Sequence, residues 1–305
     1  MRHKWLIITL VVIMVLGFAF TAGVVSYFIG GGEGRGSTSV FAGKKIGVIE
    51  VNGFIASADD LVKDIEDVRK DDNIASVVLR IESPGGTIGG SQEILEAVKK
   101  MAEKKPVVAS MGSVAASGGY YVACGATKIL ANPGTVTGSI GVRMDHLTVG
   151  LLLKWAKIGH ETLKSGKYKD IGSFDRPITP EERAILEGVL TDLHQQFKET
   201  VAQARKLPME KVDELADGRV FTGRQAKDLG LVDELGGFVE AIRLAADLGG
   251  IKGEPRLSYQ KKKGQIFLRL FEGVKSMLSD AADFPLSNFD FLQPVMSLPA
   301  RAPAL

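Results

Sequence analysis

One cysteine among 305 residues, Cys124, excludes an internal disulfide framework and a multi-cysteine metal site. Its setting, Tyr121-Val122-Ala123-Cys124-Gly125, predicts a small buried residue and not a reactive thiol. Histidine is almost as scarce, with four in the chain, and none sits in a recognisable triad setting. His146 and His160 lie in different surroundings, and Asp145-His146 reads as a surface pair, so no metal and no cofactor is expected. A net charge of only +2 leaves no nucleic-acid footprint. No internal repeat is evident. Charge is missing altogether from Trp5 to Gly30, behind the basic start Met1-Arg2-His3-Lys4. That run is long enough to cross a bilayer core of about 30 Å as a helix. It continues past Thr21-Ala22-Gly23, the small residues where a signal peptide would be cut, which favours an uncleaved anchor. Arg2 and Lys4 then stay in the cytoplasm and the bulk of the chain lies outside.

Residues 31–44 are rich in Gly and Ser and read as a flexible tether. Beyond them, strands are expected at residues 45–51, 74–81, 107–111 and 128–131. Helices are expected at 59–70 (Leu61, Ile65 and Val68 inward) and 89–104 (Ile94, Leu95, Val98 and Met101 inward). This alternation predicts an α/β fold with a largely parallel sheet. Ser83-Pro84-Gly85-Gly86 is expected to break the second strand. Lys99-Lys100 and Lys104-Lys105 read as the solvated end of a helix. The second half is more helical. Pro180 opens a helix reaching about Arg205, with Thr179 as its N-cap, and further helices are expected near 209–216, after Gly223, and at 237–248. Residues 254–305 change character. Lys261-Lys262-Lys263 precedes a short amphipathic helix (Ile266, Leu268, Leu270, Val274, Met277) that suits a membrane surface or a packing role, and a proline-rich irregular tail follows.

Three segments carry chemistry. The turn 83–86 follows a buried strand and precedes a helix, so its N–H groups can hold an oxyanion or simply make a turn. Ser117 lies in Ala115-Ala116-Ser117-Gly118-Gly119-Tyr120-Tyr121 among small residues that allow close approach of a substrate backbone. It reads equally as a nucleophile or as a helix cap. Lys169 lies in Lys164-Ser165-Gly166-Lys167-Tyr168-Lys169-Asp170 and reads as a base or as a surface lysine. A lysine base must be neutral near pH 7–8, about three units below its ordinary value near 10.4. That costs roughly 4 kcal/mol, which burial supplies.

Taken in order with Thr135-Val136-Thr137-Gly138-Ser139-Ile140-Gly141 and Asp217-Gly218-Arg219-Val220, these segments resemble the signal peptide peptidases of the SppA type. Those are Ser/Lys peptidases of the Clp/crotonase fold group, and residues 45 to about 250 carry the resemblance. It implies Ser117 as nucleophile, Lys169 as general base, Ser139 as the group that orients the lysine, and Gly86 and Gly118 as the oxyanion hole. A pocket of small and aliphatic side chains is expected, with Val114, Ala115 and Val136 as candidates. The peptidase domain is placed at 45–253. Signal peptides and other apolar peptides are the implied substrates, and lipid is met through the N-terminal helix. Larger relatives carry two tandem copies, whereas this chain has one. The resemblance therefore implies a homo-oligomeric ring, with an octamer as the expected size, in which Ser117 and Lys169 meet across an interface. It places the chain in a bacterial inner membrane with the catalytic domain on the periplasmic face. Two other readings compete: a non-catalytic membrane scaffold, and a crotonase-like acyl-CoA enzyme, against which the expected export argues.

Overall fold

The run Ile74-Ala75-Ser76-Val77-Val78-Leu79 shows no polar alternation, and its place in the sheet explains why. The computed structural model describes residues 44–260. The N-terminal anchor, the tether up to residue 43 and the basic amphipathic helix and tail from residue 261 lie outside the described residues. Among those described, no helix is long and apolar enough to cross a membrane. Strand β2 (Ile74–Gly86) lies between β1 (Lys45–Ile55) and β3 (Val107–Ala116), parallel to both. Its Val77, Val78, Leu79 and Ile81 are all buried, as expected of a strand covered on two faces. Helices α1 (Asp59–Lys70) and α2 (Ile88–Ala102) connect these strands.

The two faces of the sheet bury two groups of side chains. Ile49, Val51, Val77, Leu79, Val107 and Ala109 share one core with Ile65 and Val68 of α1 and Ile94, Leu95, Val98 and Met101 of α2. Ile46, Val78, Val108 and Leu130 pack on the opposite side against Ala241, Ala245 and Ala246 of a C-terminal helix, Phe238–Leu248. The alternation of Val77, Val78 and Leu79 between the two groups is the period of two that a strand imposes. Lys105, expected in solvent, is buried instead. Its ammonium donates to the carbonyls of Val68 (2.8 Å) and Asp71 at the end of α1, each of which also accepts a backbone N–H.

The remaining elements are β4 (Lys128–Ala131), β5 (Val136–Gly138), α3 (Gly118–Ala123), α4 (Gly150–Trp155), α5 (Pro180–Arg205), α6 (Met209–Leu215), β6 (Val220–Thr222), α7 (Gly223–Asp228), β7 (Glu234–Leu235), α8 (the helix Phe238–Leu248) and β8 (Arg256–Tyr259). The sheet order is β6-β5-β3-β2-β1-β8, with β4 beside β3 and β7 beside β4. Only the β5–β6 pair is antiparallel. Strand β8 lies past residue 253 and still pairs with β1, from Lys45↔Arg256 to Val48↔Tyr259.

Two features of this sheet position the site. Strand β3 changes partner along its length: Val108–Met111 pairs with β4, and Val114–Ala116 pairs with β5. The strand end is thus held apart from β4. The second feature is a correction. Ser83-Pro84-Gly85-Gly86 does not end β2 but continues it, with Gly85 and Gly86 opposite Phe54 and Ile55 and Ser83 opposite Ala115. Pro84 takes no place in either ladder, because the register with β1 slips between Glu82 and Gly85 and the ladder with β3 ends at Ser83, so its missing N–H costs no sheet bond.

Candidate active site

Ser117 joins the end of β3 to the start of α3 with φ 52° and ψ −122°. Few residues with a side chain adopt such a conformation, and holding it costs about 1–3 kcal/mol. The surroundings impose it. The Ser117 N–H donates to Gly138 O (2.8 Å) and its carbonyl accepts from Tyr121 N–H (2.9 Å). Helix α3, though only a turn and a half long, is wholly buried and fixed by its two tyrosines. Tyr120 donates its hydroxyl to Leu231 O (2.9 Å). Tyr121 packs edge-on against Phe197 of α5, with centroids 4.6 Å apart, and accepts a bond from Thr200 Oγ1 (3.1 Å). Ser117 occupies the N-cap position but makes no side-chain cap bond, so its hydroxyl is not spent on the helix. The capping role that the sequence also allowed is not the one it takes.

The glycines close in around this serine. A Cβ on Gly85 would lie 2.9 Å from Ser117 Cβ and 2.7 Å from Gly118 N, and one on Gly86 would lie 2.1 Å from Ile55 O. A Cβ on Gly118 would meet Ser91 Oγ at 2.4 Å and Gly86 N at 3.1 Å. Within the turn, the Gly85 N–H is taken by Ser83 Oγ (3.1 Å), which itself donates to Gly53 O (2.6 Å). The Thr87 N–H donates to Ile55 O (2.8 Å). Strand alternation then turns the Gly86 N–H away from β1 and toward Gly118. The Gly118 N–H opens α3 and has no intrahelical acceptor. Gly86, Ser117 and Gly118 line one recess.

Ser139 follows β5 and is the second non-glycine residue at this site with positive φ, 51°. Its N–H donates to Arg219 O (2.8 Å), and Gly218 N–H donates to Ile140 O (3.2 Å). The Asp217-Gly218-Arg219-Val220 segment is thus the brace behind Ser139. Arg219 clamps Asp217 through its side chain and its N–H and holds that carboxyl down at about 2. Ser117, Ser139, Gly86 and Asp217 line one cavity of about 760 Å³. A second recess of about 20 Å³ lies between Ser117, Gly118, Tyr121, Val142, Leu193 and Phe197.

Lys169 is placed elsewhere. It is exposed in a turn, its N–H donating to Gly166 O (3.1 Å), and it lines neither cavity. Of the pocket candidates, Ala115 is wholly buried in the core, and Val114 and Val136 stand opposite each other in the β3–β5 ladder; none of the three lines either cavity. Val142, Leu193 and Phe197 line the smaller recess. Leu193, Phe197 and Val201 recur every four residues on α5, a spacing visible in the sequence but one that signals packing in general. His194 was also missed: it lines the larger cavity, and among the described residues its Nε2 has no hydrogen-bond partner. Cys124 is buried, and burial pushes its thiol up to about 12, the inert state its setting predicted.

The chain is similar to known peptidases over most of this region. Residues 99–252 match the model of peptidase family S49. A Synechocystis sp. protein named as a protease is 48% identical over 242 residues, covering 79% of this chain and 87% of its own length. The chloroplastic serine protease SPPA of Arabidopsis thaliana is 37% identical over 236 residues, covering 75% of this chain but only 35% of its own length. An Enterococcus faecium protein named as signal peptide peptidase SppA is 33% identical over 213 residues, covering 65% of this chain and 62% of its own length. The serine with its unspent hydroxyl lies inside the matched span, and the chain belongs to peptidase family S49 and is a serine peptidase.

Proposed function

We propose that the protein is a membrane-anchored endopeptidase of the Clp/crotonase fold group that degrades cleaved signal peptides with a Ser117/Lys169 dyad. The observation that carries this reading is the conformation of Ser117: a strained backbone and a hydroxyl not used as a cap, in a recess that Gly86 and Gly118 also line. Neutral Lys169 takes the proton of Ser117 as its oxygen attacks the peptide carbonyl, and the oxyanion rests on the two glycine amides. The protonated amine then gives its proton to the leaving nitrogen, and water releases the acyl group. Ser139 receives the lysine amine and orients it. The recess beside Ser117 has room for a group about the size of one water, which favours a small residue such as alanine at the cleaved bond.

The lysine comes from a neighbouring copy in this reading. Within one chain, Lys169 is tied through Asp170 and Arg176 to Glu182 in the first turn of α5, while Ser117 adjoins Leu193 farther along the same helix. Eleven residues of helix separate those points by roughly 16 Å. The apolar side chains exposed around α4 (Leu147, Leu151, Trp155, Leu163) offer a surface for assembly into a ring. Anchoring by the N-terminal apolar run, with the catalytic domain on the outer face of a bacterial inner membrane, completes the reading. Family membership in S49 argues against the acyl-CoA alternative, and the unspent serine against a scaffold.

The test is hydrolysis of an alanine-containing apolar peptide by the full-length chain, beside Ser117→Ala and Lys169→Ala. Each variant should lose activity by at least about 10⁴-fold while still assembling. Mixing the two dead variants should restore part of the activity, since intact Ser117 and intact Lys169 then face each other at some interfaces. Activity in either single variant would refute the dyad. Two dead variants that stay dead when mixed and exchanged would refute the shared site.

A further inference from the structure

The segment that carries Lys169, between α4 and α5, contains neither helix nor strand, and several of its apolar side chains face outward. Leu163 is 90% exposed, Ile158 58% and Phe174 51%. Charged groups hold it. The Asp170 carboxylate receives Lys164 (2.5 Å) and Arg176 (3.0 Å). Arg176 also grips both oxygens of Glu182, at 2.8 and 2.6 Å. Its guanidinium reaches the Asp170 carbonyl as well, the peptide oxygen immediately after Lys169 (3.5 Å). Glu182 is buried at the third position of α5, where its carboxylate accepts from Thr179 N–H (2.9 Å) and closes the capping box.

We propose that Arg176 is a positioning residue for the Lys169 base: it fixes the residue next to the lysine onto the rigid first turn of α5. This rests on the reading of Lys169 as base. Ordinary surface ion pairs contribute little. This one is a bidentate fork on a side chain that is 4% exposed, with a third partner 13% exposed, and it links the segment around Lys169 to the first turn of α5. The neighbouring charges agree. The titratable groups tied together in this segment are His160, Lys164, Lys167, Tyr168, Asp170, Asp175 and Arg176, with His146 from the stretch before α4 and Glu181 and Glu182 of α5. Arg176 balances Asp170, the carboxylate adjacent in sequence to the base. Its hydrogen bond to Glu182 holds that carboxyl down at about 2, and with Lys164 it keeps the Asp170 carboxyl below the usual range. Both acids therefore stay ionised wherever the enzyme works.

The experiment measures kcat and KM against pH for full-length Arg176→Ala and Arg176→Lys on the apolar peptide, with Lys169→Ala as control. Arg176→Ala should lower kcat by about tenfold or more and change KM less than about twofold. Its acid limb should move to higher pH, because an uncompensated Asp170 favours the protonated amine. Arg176→Lys keeps the charge but not the fork, so its acid limb should stay in place while kcat recovers in part. If Arg176→Ala does not assemble, Asp170→Asn decides: the Arg176–Glu182 fork remains, and the acid limb should move to lower pH. A dead Lys169→Ala beside an Arg176→Ala of unchanged kcat and unchanged acid limb would overturn the positioning role alone, as would an unmoved limb in Asp170→Asn. An active Lys169→Ala would overturn the reading on which it rests.

Discussion

The serine side and the lysine side of this protein are held by different physics. Behind Ser117 helix α3 is wholly buried, the glycines leave no room for a methyl group, and the Tyr120 hydroxyl fills the Leu231 carbonyl. Around Lys169 the apolar side chains face outward, and the backbone is held by carboxylates and guanidinium groups. A side chain kept at φ 52° needs a surrounding structure that over-determines it, and close packing supplies this. The segment around Lys169 leaves apolar side chains exposed, and ion pairs fix its backbone.

The sharpest way to break this contrast is Gly86→Ala. Its new methyl would sit 2.1 Å from the Ile55 carbonyl, so the strand pair must move, and denaturant unfolding should show a loss of about 3 kcal/mol. A stability equal to wild type would mean that the serine side is looser than its packing indicates. Tyr120→Phe should cost less, about 1–2 kcal/mol by the same measurement, since it leaves the buried Leu231 carbonyl without its donor. The lysine side responds to pH. The Arg176 guanidinium and the Thr179 N–H hold the Glu182 carboxyl at about 2, against an ordinary 4.5. A depressed carboxyl stabilises the fold fully above its unfolded value and loses that contribution as pH falls through the folded one. The stability gap between wild type and Glu182→Gln should therefore be widest above about pH 4.5 and shrink toward pH 2. A gap that stays constant over that range would show that the ion pairs do not hold this segment.

Much of the serine side was legible in the sequence because its signals are local. The successive apolar residues Val77, Val78 and Leu79 announced a buried strand, and Thr179-Pro180 announced the start of α5. The Ser83-Pro84-Gly85-Gly86 turn was legible as a site but not as a strand. Proline and glycine argue against pairing, and only the slip in register with β1 between Glu82 and Gly85 lets the strand continue past Pro84. Strands β5 and β6, three residues each, fall below what periodicity can show. Leu193, Phe197 and His194 were hidden for another reason. They stand on a helix far along the chain from Ser117, and nothing local distinguishes a residue that walls a cavity from one that fills a core. Lys105 reversed its expected role because the acceptors that bury it, Val68 and Asp71, belong to another element.

Helix α5 carries the lysine anchor at Glu182 and walls the serine recess at Leu193 and Phe197, and this makes it a gauge of phase as well as of length. Adding one residue between those points would rotate everything before it by about 100° and displace it by about 1.5 Å, turning the lysine segment away from any neighbour it had matched. Seven added residues would restore the rotation to within about 20° but lengthen the rod by about 10 Å. Point substitutions along the solvent side of this helix are cheap by comparison. Its residue count between Glu182 and Leu193 is the quantity that insertions and deletions cannot touch without shifting the segment held at Glu182 against the recess at Leu193.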